Sequence, residues 1–158
     1  MDYVSIFKHG KDDKVRETDD VLLLPEWGES EWRKLLDRTT PQKFRTGEVA
    51  IHRGAVDRSL LFVAAGILEV GVLYVDGLSM SPLARITAGT VIGEQSFFDC
   101  QPRSANVWAV TDGELLRLAF EEFQKFSREE PALVRDFLFA LGRVLSLRLR
   151  NTTMRVRR

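Results

Sequence analysis

Glu94 and Arg103 stand nine positions apart near the two ends of VIGEQSFFDCQPRSA, residues 91–105. A carboxylate only accepts hydrogen bonds, and it pairs well with hydroxyls such as those of a sugar. A guanidinium offers a planar fork of donors that can hold a phosphate in two places. Gly93 follows an apolar strand end, where glycine permits a positive φ or a close approach of backbone to ligand. Ser104 and Ala105 are small, so their backbone N–H groups can approach the same anion, as such groups do around tight glycine-led turns. Together these parts suit a phosphorylated sugar, with a hydroxyl on Glu94 and the phosphate on Arg103. The plainer alternative is a salt bridge between the two across a loop, a common and weak contact.

The elements that must position this stretch are mostly strands. From Pro41 to Leu118 the chain breaks into short runs rich in Val, Ile, Leu and Phe: FRTGEVAIHRG, LLFVAAGILEVGVLYVDG, LARITAGTVIG, SANVWAVTDG and ELLRLA. Gly and Asp-Gly punctuate them. Many short strands without intervening helices predict an antiparallel sandwich or roll. Before it, Ser30 is positioned to cap a short helix over Glu31–Arg38, with Trp32, Leu35 and Leu36 on one face. After it, Phe123 and Phe126 lie three apart in a helical stretch, Phe120–Ser127. Pro131 then opens a long helix, expected over about 131–150, since the first turn tolerates proline. Phe137, Leu138, Leu141, Val144 and Leu145 form its apolar stripe. The expected plan is mainly β with flanking helices. Residues 1–28 are a polar, loosely docked leader, 29–150 a single domain, and 151–158 a basic tail.

Bulk composition narrows the function classes. The 158 residues carry 23 Lys and Arg against 23 Asp and Glu, so no net charge draws the chain to nucleic acid. Cys100 is the one cysteine, the N-terminus lacks the apolar core of a secretion signal, and the longest apolar run is too short to cross a bilayer. The expectation is a cytoplasmic chain without membrane insertion. His9, His52 and Cys100 have no metal-ligand spacing, and no nucleophile motif or P-loop occurs, so neither a metal nor an enzyme is expected.

The run G-E-x-x-F-F-x-x-x-P-R-S-A resembles the phosphate-binding cassette of the cyclic nucleotide-binding domain family. Other residues agree with that family in order: Phe44-Arg-Thr-Gly47-Glu48, Gly54 and Asp57, Leu61-Phe-Val-Ala-Ala-Gly66, Gly89, and the strand Glu114–Leu118. The resemblance implies an antiparallel β-roll, jelly-roll-like (a double-stranded β-helix), with a short N-terminal helix and a long C-terminal lid helix. It implies cAMP or cGMP as the ligand, Glu94 on the ribose 2′-hydroxyl and Arg103 on the cyclic phosphate. Gly93, Gln95, Ser96, Ser104 and Ala105 complete the cradle, and Val70, Val72, Leu83 and Ile86 are candidates for the base pocket.

Two departures stand out. Gln95 replaces the usual aliphatic residue, so its side chain must reach water or a partner. Asn106 replaces the frequent threonine. Family regulators that bind DNA carry a helix-turn-helix after the long helix. Asn151–Arg158 is too short for one, so no direct DNA binding by this chain is expected. The implied function is a sensor whose C-terminal helix relays binding to a partner or fused effector, with a homodimer through that helix possible. The alternative is a ligand-free interaction or dimerisation domain of the same fold, such as a cytosolic portion of a transporter or channel.

Overall fold

The computed structural model describes the backbone of residues 2–9, 19–73 and 80–156, and their side chains apart from 72, 73, 80–83 and 153–156. The chain divides into two units: Thr39–Phe120, and Met1–Arg38 together with Glu121–Arg158.

The first unit is the β-roll. Among the described residues its eight strands are β1 (Thr40–Phe44), β2 (Val49–Ile51), β3 (Leu60–Ala65), β4 (Leu68–Leu73), β5 (Met80–Ile86), β6 (Val91–Ile92), β7 (Asn106–Ala109) and β8 (Gly113–Leu118). They form two four-stranded sheets in the orders β1-β8-β3-β6 and β2-β7-β4-β5, and the pairings are antiparallel. Alternation of side chains along each strand sends one set inward. Phe44, Leu61, Val63, Ile92 and Leu115 come from one sheet, and Ile51, Leu68, Ile86, Val107 and Ala109 from the other, to make a single buried core. The run over β3 is buried on both faces, which explains its unbroken apolar sequence. Gly66 turns β3 into β4 at φ +93, where an added Cβ would lie 2.6 Å from the Asp112 carbonyl oxygen. Between β6 and β7 sits one short helix.

The second unit is helical. In chain order with the cassette helix, its elements are α1 (Tyr3–Phe7), α2 (Glu29–Leu36), then α4 (Phe120–Glu129) and α5 (Pro131–Val156); α3 (Glu94–Asp99) belongs to the roll. Trp32, Leu35 and Leu36 of α2 are buried as their spacing predicts. The start of α2 differs from the expectation. Ser30 is not the cap: the helix begins at Glu29 with Gly28 as N-cap, and the Glu31 carboxylate accepts the Gly28 N–H at 3.0 Å. That reach-back satisfies the N–H of the cap residue itself, one half of a capping box.

The stretch read as a polar leader contributes Val4, Phe7, Leu22 and Trp27 to the buried side chains. Phe7 stacks on Trp32 at 6.4 Å between centroids, and Trp27 meets Trp32 edge-on at 5.3 Å. Such pairs contribute about 0.5–1.5 kcal/mol each beyond their buried area. Arg143 of α5 donates to the Val21 carbonyl at 3.0 Å, and Arg148 pairs with Asp20 at 2.8 Å. On α5, Phe137, Leu141 and Val144 are fully buried, Leu138 and Leu145 half-buried. The helix continues to Val156, into the stretch expected as a tail. No helix among the described residues is long and apolar enough to cross a membrane.

Candidate functional site

The cassette is built around Gly93. It caps α3 in the left-handed region, φ +86 and ψ +15. A Cβ there would sit 2.6 Å from Arg103 Nη1, 3.2 Å from Cζ and 3.2 Å from the Ser59 carbonyl oxygen. Glycine is thus required twice over, by backbone conformation and by the guanidinium packed against it. The residue after it, Glu94, starts α3 and is buried. At the other end of α3, Cys100 closes the turn at φ +60, an uncommon conformation for a side-chain-bearing residue.

Arg103 is fixed by main chain and side chain together. Its N–H donates to the Ala55 carbonyl at 2.9 Å, and its own carbonyl accepts the Gly54 N–H at 2.8 Å. The guanidinium donates from Nη1 to the Gly93 carbonyl (2.9 Å) and from Nη2 to the Ser59 carbonyl (2.7 Å). Asp57 Oδ2 lies 3.5 Å from Nη2, and the Arg103 side chain is only 3% exposed. Burial pulls the Arg103 pKa below its ordinary value, while the charges of Asp57 and Glu94 oppose that. An arginine keeps its proton in such a site.

Asp57 is the counter-charge of the loop. Desolvation alone would raise its pKa. Bonds from the Ser59 N–H (3.0 Å) and hydroxyl (2.9 Å), with the charges of Arg103 and Arg117, hold it below the usual value. Arg117, on β8, comes within 3.4 Å of the same carboxylate. Arg58 points elsewhere: it donates to the Phe97 and Phe98 carbonyls at 2.9 and 3.3 Å and lies 3.6 Å over the Phe120 ring. It thereby satisfies carbonyls at the C-terminal end of α3, where a cation is favoured. Asp57 was legible only as part of a loop pattern, and Arg58 and Ser59 not at all. Their partners lie about 40 residues away along the chain. The Asp-x-Ser spacing, which forms a local carboxylate turn, is the one signal available for that loop.

The remaining predicted residues fall as follows. Ser96 is buried in α3, and Ala105 is half-buried. Gln95 and Ser104 are exposed and paired: the Ser104 hydroxyl donates to Gln95 Oε1 at 2.5 Å. The polar substitution at 95 thus finds a partner across the cassette. Asn106 likewise finds one, its Oδ1 accepting the Arg53 N–H at 2.9 Å. Ile86 is buried in the inter-sheet core and Val70 packs against that core. The side chains of Val72 and Leu83 lie outside the described residues. Among the described residues no group of three or more His, Cys, Asp and Glu is arranged to hold a metal ion.

Residues 41–130 match the family model described as cyclic nucleotide-binding domain. No curated protein matches the sequence. Among solved structures, a cyclic nucleotide-binding domain from Methylobacillus flagellatus KT is 22% identical, covers 89% of this chain and 78% of its own, and superposes with a TM-score of 0.77. The Thermus thermophilus Catabolite Activator Protein is 26% identical with a TM-score of 0.71; the match covers 82% of this chain but 58% of that one. The regulatory domain of Toxoplasma gondii PKA, co-crystallised with cAMP, is 18% identical with a TM-score of 0.60, over 78% of this chain and 42% of that one.

Proposed function

Because the chain belongs to the cyclic nucleotide-binding domain family, we propose that it is a sensor module that binds a cyclic mononucleotide, cAMP or cGMP, in the β-roll. One observation carries this reading: Arg103 is a buried, protonated guanidinium held in place by neutral carbonyls of Gly93 and Ser59. Those carbonyl bonds orient the guanidinium, and Asp57 pairs with it at 3.5 Å as its resident counter-charge. A phosphate is the natural further partner for such a group. Glu94, buried one residue from Gly93, supplies an acceptor for a ribose hydroxyl. Gly93, Gln95, Ser96, Ser104 and Ala105 form the rest of the cradle, and Val70 and Ile86 stand on the apolar side for the base. The complex of the Toxoplasma regulatory domain with cAMP supports the ligand class.

In this reading the chain is a binding module and not a catalyst. It works in the cytoplasm, and α5 relays occupancy to a partner or fused effector through two helix states of different ligand affinity. Phe139 and Leu149 are exposed apolar residues of α5, which supports contact with a second copy.

Calorimetric titration with cAMP and cGMP tests the reading. Wild type should bind at least one, and Arg103→Ala should lose about 10- to 100-fold in affinity, the scale of a charge-assisted bond left unmade. Glu94→Gln, close in shape, should weaken the same nucleotide while leaving the circular dichroism spectrum unchanged. Unchanged affinity in both variants would remove the assignment. A second reading, an interaction domain without ligand, is favoured by Gln95, whose carboxamide takes the Ser104 hydroxyl at the cassette. A concentration-dependent dimer indifferent to both nucleotides would establish it.

A further inference from the structure

Gln95 and Ser104 face each other across the mouth of the cassette. Gln95 is the second residue of α3, and Ser104 directly follows Arg103. A serine hydroxyl carries one donor hydrogen. Here that hydrogen goes to Gln95 Oε1 at 2.5 Å. An anion entering beside Arg103 also needs donors, and the Ser104 hydroxyl cannot serve Gln95 and a phosphate oxygen with the same hydrogen.

We propose that Gln95 is a latch across the cradle, tying up the Ser104 hydroxyl so that a phosphate must displace the carboxamide to gain that donor. This rests on the cyclic-nucleotide reading and adds to it: the residue that departs from the family pattern sets the affinity threshold of the site. An aliphatic side chain at 95 makes no such bond and leaves the hydroxyl free to turn to the ligand. Both side chains are exposed, so water competes and the effect is that of one modest hydrogen bond.

The test is a double-mutant cycle in nucleotide affinity, with cAMP and cGMP as probes, on wild type, Gln95→Leu, Ser104→Ala and the double variant. Gln95→Leu should tighten binding about three- to tenfold, the range of one net hydrogen bond. In the Ser104→Ala background the same change should do nothing, because the latch has no partner. Binding by Gln95→Leu where wild type shows none would also support the latch. Wild-type binding with Gln95→Leu unchanged or weaker overturns the latch and leaves the nucleotide reading intact. Equal tightening in both backgrounds overturns it too, since the effect then bypasses Ser104. Failure of all four proteins to bind either nucleotide overturns the underlying reading and the latch with it.

Discussion

Gly93→Ala isolates the contact on which the cassette is built. Two costs separate cleanly in this protein, because Gly54 shares the conformation of Gly93 without its crowding. Both sit at φ +86; an added Cβ at Gly54 has nothing within 4 Å, whereas at Gly93 it meets Arg103 Nη1 at 2.6 Å. The left-handed conformation costs an alanine about 1–2 kcal/mol, part of which is offset by the stiffer unfolded chain. Gly54→Ala should therefore destabilise by about 1 kcal/mol. Gly93→Ala adds displacement of a buried guanidinium from the Gly93 carbonyl, a charge-assisted bond of about 1.5–3 kcal/mol. The difference between the two variants should be about 2 kcal/mol, or roughly 4–8 °C in Tm for a chain of this size. Urea unfolding followed by circular dichroism reads it directly. Arg103→Ala supplies the internal check: in that background the excess cost of Gly93→Ala over Gly54→Ala should shrink to that of the remaining 3.2 Å approach to the Ser59 carbonyl oxygen, since the guanidinium is gone. Equal losses for Gly93→Ala and Gly54→Ala in the wild-type background would refute the reasoning, because the guanidinium would then be yielding without penalty.

Two further outcomes follow from the loop before β3. The Asp57 carboxyl has a folded pKa below its ordinary 3.8, so its contribution to stability is complete above about pH 4 and is lost as acid carries the pH down through the depressed value. Asp57→Asn should consequently destabilise at neutral pH, and its penalty should shrink as the pH is taken down below about 4, read as urea midpoints along that series; a penalty independent of pH would count against the ion pair. Arg58→Ala removes both carbonyl bonds and the stack on Phe120, so amide hydrogen exchange in α3 should accelerate more than in β3 or β8. Uniform acceleration would mean Arg58 supports the unit as a whole instead.

The order Gly93, Glu94, Arg103 and the strand runs between turn glycines were visible in the sequence because each is a local pattern. Period two and the glycine punctuation are enough to give two antiparallel sheets, and an apolar stripe after Pro131 is enough to give α5. What escaped was non-local or masked by polarity. Gly28 displaced Ser30 as cap through the carboxylate of Glu31, a choice between two adequate starts two residues apart. Asp57 and Ser59 meet Arg103 across 44 or more residues, and nothing in their neighbours announces it. Leu22 sits in the short apolar run Val21–Leu24 after an acidic pair, and Trp27 stands between Glu26 and Gly28; neither stretch has a period that says which side chain is buried, so their burial follows from partners elsewhere in the chain. Gln95 was recognisable as anomalous from its type, but its partner emerged only when the turn brought Ser104 opposite.

The pairing of β1 with β8 has a consequence for how the protein is made. Thr40 lies opposite Arg117, so the first strand of the roll waits for the last before their sheet can close. The helical unit waits longer still, since it draws on both ends of the chain. Arg38 meets Glu129 across 91 residues, and Asp20 meets Arg148 across 128. During synthesis the N-terminal helices therefore leave the ribosome well before the partners that secure them. The roll, complete by residue 118, can assemble first as an insert, with the helical unit closing around the chain's two ends only after α5 has been made.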